Sequence, residues 1–320
     1  MKKLLTLIWL APLLATAQFD PAGGEPGSKA IHRNDAAFGY WADSVKLVKG
    51  LQQINNPGLG PVTLGQASDA LGAPDNSTVS LGDGGQATFY FDQPIVNIEG
   101  ADFAVFENGF KWPGGYFLEL AFIEVSSNGK DFVRFPATSK ADTTKQTSNL
   151  AYMECEWFDN LAGKHQAPYG TPFDLEELKD SSDELKIDSV RYIRIVDVVG
   201  SLNDSFASYD QFGTKINEPW PTNFPSGGFD LDALGILEWA VSTNDLHERQ
   251  FRFGPNPARA NVDLNVYFEF EEAWITNGQG SVIEHYENGQ SQLLAPKSTG
   301  IYFVQFKTRK GLITRRLCVY

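Results

Sequence analysis

The sequence predicts an all-β chain, a large antiparallel β-sandwich followed by a small Ig-like one, and three observations carry that expectation. Short runs rich in Val, Ile, Phe and Tyr recur along the chain, separated by clusters of Gly, Pro, Asn and Asp, the pattern of antiparallel sandwiches. Helical signals are confined to two short stretches, neither long enough to organise a fold. The strand pattern stops at a polar connector over residues 242–252, which holds His247 and several charges, and then restarts as a compact set of short strands.

The chain opens Met1-Lys2-Lys3, runs apolar over residues 4–14 and then reads Ala15-Thr16-Ala17. A basic start, an apolar run too short to span a bilayer and a small-x-small site make a secretory signal peptide over residues 1–17, with a mature chain from Gln18. No Cys follows that run, so no lipid anchor is expected at a new N-terminal Cys. No later stretch approaches the roughly 18–20 apolar residues of a transmembrane segment.

The large sandwich is expected over residues 18–245. Its clearest strands are 87–92, 102–107, 117–126, 132–135, 190–198 and 234–241, several of them apolar on both pleat faces and therefore deep in the sandwich. Ser126-Ser127-Asn128-Gly129-Lys130-Asp131 predicts a tight turn, because Asn-Gly tolerates positive φ at both central positions. Thr171-Pro172-Phe173-Asp174-Leu175-Glu176-Glu177-Leu178 predicts a short helix capped by Thr171 with Pro172 at its first position, and a second helix is expected near residues 42–49. Two long segments without periodicity, 137–169 and 201–228, read as functional or disordered loops. The second holds Phe206, Tyr209, Phe212, Trp220 and Phe224, too aromatic for disorder, and reads as a packed loop bordering a ligand site. After a linker at 246–252, residues 253–320 carry strand runs at 262–268, 273–276, 281–284, 301–307 and 312–319, enough for an Ig-like sandwich.

The formal net charge is −14, and −16 once Lys2 and Lys3 leave with residues 1–17. Like-charge repulsion argues against nucleic acid and anionic lipid as partners and is compatible with divalent cations and neutral ligands. Cys155 and Cys318 fall in different expected domains and read as unpaired thiols, although an oxidising compartment permits a bridge.

Three pieces near the C-terminus appear in order: Gly254-Pro255-Asn256-Pro257-Ala258, Ser298-Thr299-Gly300-Ile301-Tyr302-Phe303-Val304, and Gly311-Leu312-Ile313-Thr314-Arg315-Arg316-Leu317-Cys318-Val319. Residues 253–320 thereby resemble the C-terminal sorting domain of cargo for the type IX secretion system of Bacteroidota, which implies the type IX machinery as a partner and a cell-surface or secreted location. The match departs from the family at Phe253-Gly254 and around residues 274–284. The larger part carries Ala70-Leu71-Gly72-Ala73-Pro74-Asp75, Asp102-Phe103-Ala104-Val105-Phe106-Glu107-Asn108-Gly109 and Gly228-Phe229-Asp230-Leu231-Asp232-Ala233-Leu234. It resembles a family of bacterial cell-surface proteins, which implies a jelly-roll, galactose-binding-like sandwich and brings no chemistry with it.

No zinc-protease helix, Gly-x-Ser-x-Gly elbow or phosphate-cradling glycine loop is present, so no catalytic residue is assigned. Of the four histidines, only His32 and His165 are candidates for one site. Glu107, Glu119 and Glu124 stand in apolar strands, where burial would raise their pKa and suit a hydrolase acid, but a metal or buried hydrogen bonds would explain them equally. A structural calcium is the stronger reading. Asp230 and Asp232 are two apart and so share a strand face, and Asp102 and Glu107 stand at the two ends of another strand; acidic turns supply the oxygens calcium takes. Asp69, Asp75 and Asp83 are weaker loop candidates. For the ligand, Trp112 and Tyr116 flank Pro113-Gly114-Gly115, and Tyr209 and Trp220 lie in the long aromatic loop; flat rings on loops make platforms for sugars. The expected function is a non-enzymatic surface module that binds a glycan or another extracellular ligand. The alternatives are an envelope or adhesion protein, a nutrient-capture accessory of an outer-membrane transporter, and a glycoside hydrolase.

Overall fold

The computed structural model describes residues 19–237, 253–266, 268–287, 290, 292–308 and 311–320. The expected signal peptide and the expected linker at 246–252 lie outside the described residues, as does the end of the strand expected over 234–241. The chain divides into two compact units, one up to residue 237 and one from residue 238.

Strands of the first unit are, in chain order, β1 (Ile31–His32), β2 (Phe38–Trp41), β3 (Val45–Val48), β4 (Val79–Ser80), β5 (Gln86–Ile95), β6 (Phe103–Glu107), β7 (Phe110–Trp112) and β8 (Gly115–Phe117). They continue as β9 (Ala121–Ser126), β10 (Val133–Arg134), β11 (Thr138–Ser139), β12 (Phe158–Asp159), β13 (Tyr169–Phe173), β14 (Val190–Asp197) and β15 (Asp230–Leu237). One sheet runs β1-β13-β6-β15-β2 with β4 added beside β15, and the other runs β10-β9-β14-β5-β3. Every pairing within these two sheets is antiparallel. The two sheets share one core: Phe89 of β5, Ile123 of β9 and Ile195 of β14 pack with Phe103 of β6 and Leu234 of β15. Burying a ring such as Phe103 stabilises by about 1.5–3 kcal/mol. The outer face of β6 and β15 is not solvated, because Phe38, Trp41 and Phe106 cover it with rings 4.5–5.6 Å apart. That second cover explains why β6 and β15 are buried at every position.

Four local expectations are corrected. Residues 42–49 hold strand β3, not a helix; Val45-Lys46-Leu47-Val48 alternates half-buried and exposed and pairs with β5. Thr171 and Pro172 belong to β13, opposite Val105 and Ala104, and the cap passes to Asp174, which accepts from the Glu176 N–H at the head of a single 3-10 turn, Leu175–Leu178. At the 126–131 turn only Gly129 takes positive φ; Asn128 Oδ1 instead accepts from the Lys130 and Asp131 amides, so a side chain closes the turn. The run expected over 117–126 is broken, with Leu118, Glu119 and Leu120 buried between β8 and β9 rather than laddered.

The second unit carries β16 (Phe253–Gly254), β17 (Asp263–Val266), β18 (Glu272–Thr276), β19 (Val282–Glu287), β20 (Gln292–Leu294), β21 (Gly300–Thr308) and β22 (Gly311–Val319). These form sheets β16-β17-β20 and β19-β18-β21-β22. They share a core of Leu264, Ile275, Leu293, Val304, Phe306 and Leu317 among others. Asn256 ties the start of this unit to its end: its Oδ1 accepts from the Cys318 N–H at 3.0 Å and its Nδ2 donates to the Arg316 carbonyl at 2.7 Å. Both cysteines are free thiols, and burial pushes Cys155 up to about 12. Among the described residues no helix is long and apolar enough to cross a membrane.

Candidate functional site

The antiparallel topology brings the C-terminal ends of β6 and β14 and the N-terminal end of β15 to one end of the sandwich, and each contributes an acid there. Glu107 closes β6, Asp197 closes β14 and Asp230 opens β15. Glu119 joins them from the buried break before β9, Asp83 from the β4–β5 connection and Glu218 from the long loop at 201–228. All six are buried.

Hydrogen bonds satisfy this group unevenly. Asp197 accepts from the Phe229 and Gly84 amides at 2.7 and 3.1 Å, and a Cβ at Gly228 would sit 2.5 Å from its Oδ1, so the backbone there must be glycine to close on the carboxylate. Glu218 accepts from the Leu120 N–H at 2.6 Å. Asp230 accepts from the Ser80 hydroxyl and from Asn108 Nδ2. Glu107 Oε2 takes the Gly109 N–H at 2.7 Å, but its Oε1 is buried with no partner. Among the described residues no side chain or amide bonds the Glu119 carboxylate, and burial, then the charges of Asp230, Glu107 and Glu218, push it well above the usual range. Burial followed by Asp230 does the same to Glu107, burial followed by Asp83 to Asp197, and burial followed by Asp197 to Glu218. Among the described residues none of these four forms an ion pair with a cationic side chain, and the charges that act most strongly on them are acidic. Glu124 is the contrast, paired with Arg134 at 2.7 Å and with Arg194.

The four acids expected to hold an ion are thus placed differently. Glu107 and Asp230 come together. Asp232 is the extra residue of a β-bulge between Leu231 and Ala233, and it turns to the Asp75 and Asn76 amides, each at 3.2 Å. Asp102 stands before the opposite end of β6, five residues or roughly 17 Å of strand from Glu107, where it accepts from the Leu175 and Ile98 amides. Burial raises Asp102 to about 7. Among the described residues no three His, Cys, Asp or Glu side chains stand in a metal-holding group.

The four aromatic candidates divide evenly. Trp112 is 57% exposed on β7, and Tyr209 is 41% exposed with its hydroxyl donating to Asp204. Tyr116 is only 5% exposed; it packs in a core with Leu118 and Met153 while its hydroxyl reaches Glu25 at 2.9 Å. Trp220 is 9% exposed and donates from Nε1 to Asp83 at 3.2 Å, so it is a wall of the acid cluster and not an open platform. β7 and β8 form a two-stranded sheet apart from the two large ones, and β7 is exposed at all three positions, Phe110, Lys111 and Trp112.

A second buried group went unread in the sequence because its members lie about 144 residues apart. Asp20 Oδ1 holds Lys164 Nζ at 2.6 Å, and Asp20 Oδ2 lies 3.2 Å from His165 Nε2. Burial pushes the Asp20 carboxyl up, but the bonds from His165 and Lys164 and the Lys164 charge outweigh it, so it stays well below the usual range. His165 Nδ1 and Thr171 Oγ1, both buried, have no partner. His32 does not share this arrangement; it accepts from the Asn34 N–H and sits edge-on to Tyr169.

The fold defines an all-β protein of β-sandwich type. No family model matches the chain, and no curated protein matches it by sequence. PorZ, a surface component of the type-IX secretion system of Porphyromonas gingivalis, is similar to 28% of this chain at 16% identity, over 14% of its own length, with a TM-score of 0.21. The β-glucuronidase of Lactobacillus rhamnosus is similar over 95% of this chain and 46% of its own at 12% identity, TM-score 0.22. The BSP domain of a biofilm associated protein is similar over 89% of this chain and 52% of its own at 10% identity, TM-score 0.18. The chain therefore spans less than two thirds of each of these structures, and likenesses at such TM-scores carry no argument about function.

Proposed function

We propose that this chain is a non-enzymatic, secreted cell-surface binding module whose ligand is an extracellular glycan. The observation that carries the reading is the β7–β8 arm, a hairpin outside both large sheets that presents Phe110 and Trp112 to solvent. Clustered exposed apolar side chains mark interaction sites, and flat rings suit the faces of sugar rings. Buried Tyr116 roots the arm, so a rigid scaffold carries an exposed contact surface.

Calcium is the ion the acid-rich end would take. A hard cation prefers carboxylate oxygens, and the orphaned Glu107 Oε1 together with the unpaired Glu119 supports that chemistry. Of the expected set only Glu107 and Asp230 come together there, with Glu119 beside them, and since these do not stand as a ready-made three-carboxylate group among the described residues, an ion would have to draw them closer. A bound divalent ion would offset the cost of burying these charges without counter-ions.

The second unit is the sorting domain in this reading, delivering the first to the surface through the type IX machinery. A hydrolase is disfavoured by the same acids: Glu107 and Glu119 are buried away from any polymer, and Glu124 is neutralised by two arginines.

A glycan array with the mature chain, run with and without a calcium chelator, tests the reading. Wild type should bind and Trp112→Ala should lose about 1–3 kcal/mol of affinity. A blank array for wild type overturns the glycan ligand, and unaltered binding by Trp112→Ala removes the site from the arm. Export is checked separately: a chain lacking residues 253–320 should accumulate in the periplasm of a host with type IX secretion, and its efficient surface display would refute the sorting role.

A further inference from the structure

The Asp20 group carries more geometry than an ion pair requires. Lys164 Nζ reaches Asp20 Oδ1 at 2.6 Å, and among the described residues this is its single hydrogen bond. An ammonium carries three donors, yet the Lys164 side chain is only 2% exposed, so two N–H bonds go unmet in a place where that is costly. Asp20 Oδ2 is held differently, with the Lys29 N–H at 3.0 Å and His165 Nε2 at 3.2 Å. Burial keeps the imidazole below its ordinary pKa and therefore neutral. Its Nδ1 bonds nothing, so the ring proton belongs on Nε2, facing Oδ2.

Two N–H groups on one carboxyl oxygen and an amine nitrogen on the other make an oxyanion hole beside a nucleophile. Nζ lies no more than about 3.8 Å from Asp20 Cγ, since one C–O bond separates Cγ from Oδ1. Groups fixed near contact distance react as if highly concentrated, and both partners here are fixed. Ala162 exchanges both backbone bonds with Ala121, and Gly163 closes on the Glu119 carbonyl, where a Cβ would sit 1.9 Å away. On the other side the Phe19 N–H bonds the Glu156 carbonyl at 3.2 Å. Asp20 and Lys164 also border a cavity of about 440 Å³ beside β13, with room for a small leaving molecule.

We propose that Lys164 and Asp20 join in an intramolecular isopeptide bond once the first unit has folded. The resting pair is ionic, and the reaction starts when one proton passes from Nζ to Oδ1 along their hydrogen bond, leaving an amine and a carboxylic acid. The Nζ lone pair then bonds to Cγ while the carbonyl electron pair moves onto Oδ2, where the Lys29 and His165 N–H groups hold the negative charge. That pair returns, the Cγ–Oδ1 bond breaks, and Oδ1 leaves as water with its own proton and a second one from Nζ. Ammonium plus carboxylate equals amide plus water, so nothing is needed from outside. The amide nitrogen keeps one proton in place of three, and its carbonyl oxygen, Oδ2, keeps both donors. The bond would fasten the start of the first unit to the β12–β13 connection, 144 residues away, against pulling and proteolysis.

The test is the intact mass of the folded mature chain, followed by digestion with trypsin. Wild type should be one water lighter than its sequence and should yield a branched peptide that joins Asp20 to Lys164, uncut after Lys164. Lys164→Arg and Asp20→Ala should each show the full sequence mass and linear peptides only. His165→Phe removes one donor from Oδ2 and should slow the bond about 100-fold, followed by mass in freshly synthesised chain; formation at the wild-type rate would overturn the step as written. Wild type at full mass with linear peptides overturns the bond itself, and this outcome does not depend on any variant folding. A missing water without the branched peptide overturns it as well, because an aspartyl residue cyclised elsewhere would account for the loss.

Discussion

Asp20 holds Lys164 and His165 within 3.2 Å, whereas Glu107 and Glu119, more deeply buried in the same unit, have no ion-pair partner among the described residues. Burial raises the carboxyl pKa in both clusters, more completely in the second, and only the first supplies counter-charge. One carboxylate is driven below its usual range and the others above it. Burial alone therefore does not decide the charge state of an acid in this protein; the neighbouring sign does. An internally paired cluster is complete as it stands, while an all-acid cluster invites protons or a cation from outside.

Three experiments break or sharpen that contrast. Lys164→Met strikes the paired cluster and should cost about 3–5 kcal/mol, the usual result of stripping one partner from a buried pair, read as a fall in the melting temperature of the full chain. A negligible shift would mean the Asp20 pair is not needed. Glu119→Gln strikes the unpaired cluster and should do the reverse in chelator, raising stability by about 1–3 kcal/mol as repulsion is relieved. In wild type, calcium at 100-fold over its Kd should stabilise by about 2.7 kcal/mol, and Glu119→Gln should lose most of that gain. No calcium effect in either protein would hand the cluster to protons alone. The smallest effect belongs to Asp102, whose carboxyl burial raises from the ordinary 3.8 to about 7. Its contribution is fully present below about pH 4 and is lost as pH rises through 7. Melting temperature should drift down by a few degrees between pH 5 and 8, and Asp102→Asn should flatten that drift; an unchanged slope in the variant would assign it to other groups.

Runs such as Ala87-Thr88-Phe89-Tyr90-Phe91 and Val190-Arg191-Tyr192-Ile193 were legible as strands because one pleat face is apolar and the flanks are turn residues. Val45-Lys46-Leu47-Val48 was not, since four residues satisfy either period and only pairing with β5 decides. Pro172 misled for a related reason: it suits a helix start, yet it also fits a strand whose missing N–H costs no ladder bond. At the site, Glu107, Glu119 and Asp230 were visible as acids amid apolar neighbours. Asp197 offered the same signal at the end of its strand and was passed over. Glu218 and the Asp20, Lys164 and His165 group gave none, because only the folded topology unites residues so far apart in the chain. Trp220 looked like a loop platform until its Nε1 found Asp83.

The Asn256 clamp bears on the order in which this protein can become itself. A ribosome releases Asn256 some sixty residues before Cys318, so the second unit cannot seat its opening motif while it is still being made. The unit closes only after residues 316–318 have emerged, and a prematurely ended chain would carry its opening motif unclosed. A machine that recognises the closed form would by that fact alone select chains whose synthesis has reached this point.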